Sequence, residues 1–199
     1  MRKIFLAFVV VFVLAATGRV HAAGYQELSL GSAEAPVTII DYSSLTCPHC
    51  ATFHNTTLPE IKKAYVDTGK VRIIFTDFPF EGVSFRAAVA VRCAAPSARQ
   101  ALLDLLFKTQ AQWAASNDPV AAMLKTALLA GVSEAQFNTC FADKDLTEGI
   151  LSRLQDAQKT HGINSTPTFL VDGEKVVGAK SFDDFKVIID KALAKAGAQ

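Results

Sequence analysis

The chain has 199 residues, half of them hydrophobic, with 20 basic and 19 acidic side chains and a formal net charge of +1. That length is enough for one domain with a sizeable core, and a balance so near neutral gives no electrostatic case for a nucleic-acid partner. No repeat, like-charge block or low-complexity tract divides it further.

The chain opens with Met1, Arg2 and Lys3, continues in an unbroken apolar run over residues 4–16, and leaves it through small residues up to Ala22. A basic start, a short apolar run and a small-residue exit describe a secretory signal peptide, with Val20 and Ala22 as the small residues before the cut. A membrane-spanning anchor needs about 20 apolar residues, more than this run offers. Residues 1–22 are therefore expected to be removed on export to the periplasm. The leader carries Arg2, Lys3 and Arg19 and no acid, so the mature charge falls from +1 to −2. Export also brings Cys47, Cys50, Cys93 and Cys140 into oxidising surroundings, where an even cysteine count points to disulfides.

Residues 36–42 (PVTIIDY) read as a mostly buried strand rich in β-branched side chains. A helix is expected to open at Cys47-Pro48-His49-Cys50, since proline suits a first helical turn, and to end by Gly69 with a kink at Pro59. Residues 71–76 (VRIIFT) are the next strand, completing a βαβ unit with parallel strands. From residue 83 to about 161 the pattern turns helical, with four or five helices expected. Ser97 with Gln100, and Ser133 with Gln136, have capping-box spacing, and Gly131 is a helix stop. Leu146, Ile150, Leu151 and Leu154 form an apolar stripe on a helix ending before His161-Gly162. Residues 168–171 and 175–177 then make a hairpin about Asp172-Gly173, and Ser181 caps a last amphipathic helix. The expected fold is α/β: a thioredoxin core over residues 23–82 and 160–199, interrupted by a helical lobe over 83–159.

A CxxC following a buried strand and opening a helix favours redox chemistry over metal binding. Cys47, at the exposed helix start, is the expected nucleophile, its thiolate favoured by unpaired N–H groups and the positive end of the helix dipole. Cys50, one turn in, closes or reopens the bond. His49 can add a hydrogen bond or positive charge. Asp41, a carboxyl near the end of an apolar strand, is a candidate to relay the Cys50 proton. Pro167 heads the hairpin, and cis peptide bonds are largely confined to X–Pro. His54, one turn past Cys50, is expected at the surface, and Trp113 with the many phenylalanines in the core. Cys93 and Cys140 would enclose a loop worth roughly 4 kcal/mol if paired; a structural bridge, free thiols and a redox-modulating pair all remain open.

Cys47-Pro48-His49-Cys50, the acid six residues earlier, the lobe and Thr166-Pro167 together resemble the DsbA family of exported thiol oxidases, over nearly the whole mature chain. The resemblance implies that Cys47 attacks, Cys50 resolves and His49 tunes the potential. It makes Asp41 the buried acid, where the family often has Glu, and Pro167 the cis-proline facing the disulfide, with Thr166 offering backbone contacts to a substrate chain. Similarity to the α-proteobacterial branch, where a second lobe disulfide occurs, favours pairing of Cys93 with Cys140. The implied partners are reduced, unfolded exported proteins as substrates and a quinone-linked membrane reoxidant of the DsbB type.

Three functions compete. A disulfide oxidase leads. A reductase or isomerase on the same core is second, but only residues 24–35 precede the first core strand, too few for an isomerase's dimerisation domain, so a monomer is expected. A soft-metal module using Cys47, Cys50 and His49 or His54 is third, and its ligands would crowd one face of one helix. No haem-attachment CxxCH is present, and neither cofactor nor resident metal is expected.

Overall fold

Burial alternates residue by residue along Val71–Asp77, and along Val37–Ser43 as far as Asp41, where Asp41 and Tyr42 are both buried. These are β2 and β3 of a computed structural model that describes residues 24–197; the expected leader and its cleavage point lie outside that range. Five strands form one sheet in the order β1-β3-β2-β4-β5, with β1 Leu28–Leu30, β4 Thr168–Val171 and β5 Glu174–Val177. β2 and β3 run parallel in the register Ile39 to Ile73 and Asp41 to Phe75, and every other pairing is antiparallel. The central position of β2 puts Asp41 between Phe75 and Phe169. The edge strand β1 is too short to announce itself in sequence. The hairpin turns at Asp172 and Gly173, both with positive φ (48° and 88°), as the Asp-Gly pair demands.

The helix that opens at Pro48 does not simply kink at Pro59. It runs as α1, Pro48–Thr52, a π-helical turn over Phe53–Thr57, α2, Leu58–Ile61, and a second π turn over Lys62–Val66. Pro59 has no N–H for an α-helical bond, and the preceding wide turn absorbs the mismatch: the Leu58 N–H reaches back to the Phe53 carbonyl. That turn carries Phe53, His54 and Thr57 inward together.

Between β3 and β4 lie six helices rather than four or five: α3 Gly82–Cys93, α4 Pro96–Lys108, α5 Gln110–Trp113, α6 Pro119–Leu129, α7 Glu134–Cys140 and α8 Lys144–His161. The extra one is the single turn α5. Ser97 is not a cap: Pro96 starts α4 with Ala95 at the N-cap, which leaves Ser97 inside the first turn. Ser133 does cap α7, Gly131 follows α6 with φ 81°, and Gly162 closes α8 in the left-handed region. In α8 the buried side chains are Leu146, Ile150 and Ala157, while Leu151 is 44% exposed, one position off the stripe expected of it. The last helix, α9 Phe182–Lys195, has the Ser181 cap and inward Phe185, Ile189, Ala192 and Leu193.

Val37, Ile39, Val71, Ile73, Phe169 and Val171 share the main core with Leu58 and Ile61 of α2 and Phe185 and Ile189 of α9, and it continues into the lobe through Leu102, Leu106, Phe107 and the buried Trp113. Tyr42, Phe78, Ile163 and Leu170 form a second cluster with Ala157 of α8.

Candidate active site at the start of the first helix

β2 ends at Ser43, and the chain turns through Ser44, whose carbonyl takes the Cys47 N–H at 3.1 Å. Cys47 is the N-cap of α1 in extended conformation, and its carbonyl takes the Ala51 N–H. The lobe grips this turn: Gln110 Nε2 of α5 donates to the carbonyls of Leu45 (2.8 Å) and Cys47 (2.9 Å). Thr46 donates to Glu81, the residue that caps α3. Sequence reasoning gave Gln110 no part in the site, because its contact crosses 63 residues and depends on the placement of α5.

The two thiols are free and unlike. Cys47 is half-buried, and its Sγ donates to the Thr166 carbonyl at 3.4 Å. Cys50 is fully buried. The Cys47 thiol is pulled down from the ordinary 9.0 to about 5, first by a hydrogen bond from the Cys50 thiol, then by the Thr166 side chain and the N–H groups of Cys50 and His49. The Cys50 thiol is pushed far up by burial, by its hydrogen bond to Cys47 and by the negative charge of Asp41. The contribution of His49 comes through its backbone N–H; its ring is exposed to solvent.

The Thr166–Pro167 bond is cis, and this turn brings the Thr166 carbonyl to Cys47 across 119 residues. Asp41 is wholly buried, accepting from the Ser43 hydroxyl. His54 overturns its expected surface position. It is 7% exposed, its Nε2 lies 3.0 Å from Asp41 Oδ2, and its ring stacks on Phe107 with centroids 3.9 Å apart. Its spacing from the buried Cys50, one helical turn, puts His54 on the same inward face. Cys93 and Cys140 stand apart from this site: they are joined by a disulfide between α3 and α7, beside Ala88, Val89, Leu146 and Ile150. Among the described residues no group of three or more His, Cys, Asp or Glu side chains is placed to hold a metal ion, and no helix is long and apolar enough to cross a membrane.

The site has recognisable relatives. The thioredoxin family profile matches residues 25–191. A Rickettsia bellii protein bearing the name of a protein-disulfide oxidoreductase is 28% identical over 171 residues, covering 85% of this chain but only 66% of its own length. A Bacillus cereus relative named for disulfide bond formation (protein D) is 30% identical over 175 residues, covering 84% of this chain and 79% of the relative. The solved structure of Wolbachia pipientis alpha-DsbA1 superposes with a TM-score of 0.79 at 30% identity, covering 85% of this chain and 92% of that one. The chain belongs to the thioredoxin family, among its DsbA-type members.

Proposed function

We propose that this chain is a disulfide donor: oxidised Cys47–Cys50 passes to reduced, unfolded proteins exported to the periplasm, and a quinone-linked membrane protein of the DsbB type restores it. The observation that carries the reading is the opposed character of the two sulfurs, one half-exposed and acidic, the other buried and held neutral. A substrate thiolate attacks Cys47 Sγ, the Cys47–Cys50 bond breaks, and Cys50 leaves with the electron pair and takes up a proton. The substrate's second thiolate then attacks its own sulfur in the mixed disulfide and expels Cys47 as thiolate. An acidic thiol leaves readily, and stabilising the reduced pair makes the disulfide more oxidising.

In this reading Cys47 is the attacked sulfur and Cys50 its resolving partner. Thr166 and Pro167 form the surface against which the substrate chain aligns, with the Thr166 carbonyl that now accepts from Cys47 turned to a substrate amide. Asp41 manages the Cys50 proton, and His49 acts on Cys47 chiefly through its N–H. The Cys93–Cys140 bridge holds the lobe rather than exchanging. The metal-binding alternative loses an imidazole, since His54 Nε2 is engaged with Asp41.

The test is the reduction potential of Cys47–Cys50 in a glutathione series, with each cysteine's state read by alkylation and peptide mass. A value clearly above about −270 mV, thioredoxin's potential, and approaching or exceeding the about −180 mV of disulfide isomerase supports donation. A value at or below thioredoxin's makes the protein a reductase and rejects the donor reading.

A further inference from the structure

Behind Asp41 the arrangement continues to a buried imidazole that borders a surface groove. His54 has one ring nitrogen committed to Asp41 Oδ2, while the other, Nδ1, is buried with no partner among the described residues. The Phe107 stack fixes the ring plane. Two spaces meet at this ring. One, of about 10 Å³, is shared with Asp41, Ser43, Thr76 and Asp77 and is about the size of a single water. The other is a groove of about 480 Å³ that opens beside Asn55, Lys62, Asp104 and Lys108. An imidazole bonded on its inner side and unpartnered on the other, set between a buried acid and a groove, is placed to pass protons between them.

We infer that His54 is the proton relay connecting Asp41 to this groove, so that the buried Cys50 exchanges its proton with solvent along Asp41 and His54 rather than past Cys47. The inference rests on the exchange chemistry proposed above. When an incoming thiolate forms its bond to Cys47 Sγ and the Cys47–Cys50 bond breaks, the electron pair goes to Cys50 Sγ. Asp41 takes a proton at Oδ2 from His54 Nε2 and passes one on to Cys50, while the imidazole takes its replacement at Nδ1 from hydronium admitted from the groove. In the reverse direction the Cys50 proton leaves by the same atoms.

The charged groups facing His54 are few. Asp41 comes from β2, Asp77 from β3 with Arg92 of α3 bound to it, Lys62 from the helix's own second π turn, and Asp104 and Lys108 from α4 across the groove. Among the described residues Asp41 alone is bonded to the ring, so His54 acts through Asp41 and is a positioning and relay residue.

Replacing His54 by glutamine keeps an amide donor for Asp41 and removes the ring that could pass a proton from one nitrogen to the other. The reading is the pH–rate profile for reduction of Cys47–Cys50 by dithiothreitol, followed by quench and alkylation, together with its solvent deuterium isotope effect. We expect His54→Gln to slow the reaction about tenfold near neutral pH, with a changed profile and a larger isotope effect, while the reduction potential stays put. A wild-type rate and profile in His54→Gln would overturn the relay and leave His54 as a prop for Asp41. Should that variant not fold, His54→Ala with added imidazole decides: acceleration through the open groove supports the relay, and none rejects it. The wild-type potential, taken on the same samples, tests the donor reading separately, because a thioredoxin-like potential would discard donation and leave the relay comparison intact.

Discussion

Gln110 fastens the helical lobe to Cys47, its single amide nitrogen bridging the carbonyls on either side of Thr46. Both bonds are made where water has little access, since Gln110 is only 7% exposed. Replacing it by alanine removes two hydrogen bonds and leaves the Leu45 carbonyl short of a partner, a loss of about 1–3 kcal/mol. Urea unfolding of Gln110→Ala should show that loss, and alkylation of Cys47 should become less selective as its turn loosens. Unchanged stability would mean that the turn is held by Thr46–Glu81 and the α1 backbone alone.

The two sulfurs make the reduced protein's stability depend on pH. Cys47 titrates near 5 when folded against an ordinary 9.0, so between those values the unfolded chain binds the extra proton. Stability of the reduced form therefore rises as pH climbs from about 5 toward 9 and is lost as pH falls back through that window. Above it the sign reverses, because Cys50 resists ionisation in the fold. Urea midpoints of reduced protein across this range check the slope, and thiolate absorbance locates the Cys47 midpoint. Cys50→Ala should move that midpoint upward, as it removes the largest favourable contact. A midpoint fixed near 5 in that variant would assign the acidity to the helix N–H groups instead.

Much of the site was legible in sequence, for local reasons. Cys47, Pro48 and Cys50 sit where first-turn geometry dictates, and Asp172-Gly173 and Ser181 act through their immediate neighbours. What escaped depends on distant placement. His54 was expected at the surface, whereas its place one turn past the buried Cys50 sets it on the inward face, where Asp41 of the distant strand β2 meets it. Gln110 sits on a single turn with no periodic pattern to mark it, and β1 has three residues. Ser97 misled because a cap is read from spacing, and Pro96 starts its helix from a different residue.

The Cys93–Cys140 bridge spans 47 positions, for which the chain-entropy account gives about 4 kcal/mol. Replacing both by alanine should lower stability by up to that amount in oxidised protein. The Cys47–Cys50 potential should hardly move, because the bridge packs with Leu146 and Ile150 away from α1. A large change in potential would instead make the lobe bridge a modulator of the site.

Arg92 and Asp77 hold α3 to the sheet. Arg92 is 2% exposed and gives Nε to Asp77 Oδ2 and one Nη to the Phe75 carbonyl, each at 2.6 Å, with the other Nη near the Gln26 carbonyl at 3.3 Å. Its guanidinium also lies over the Tyr25 ring, 4.9 Å from the centroid. Burying a charge pair is costly, but removing one member is worse, since the other keeps its desolvation without its partner. Arg92→Met should therefore cost about 3–5 kcal/mol in urea unfolding, with Asp77 left without its partner beneath α3. Adding Asp77→Leu should recover part of that loss, because the stranded carboxylate goes with it. The double variant matters more than the single one. If it is no more stable than Arg92→Met, the guanidinium's bonds to the Phe75 and Gln26 carbonyls, not the ion pair, are what fix α3 against β3.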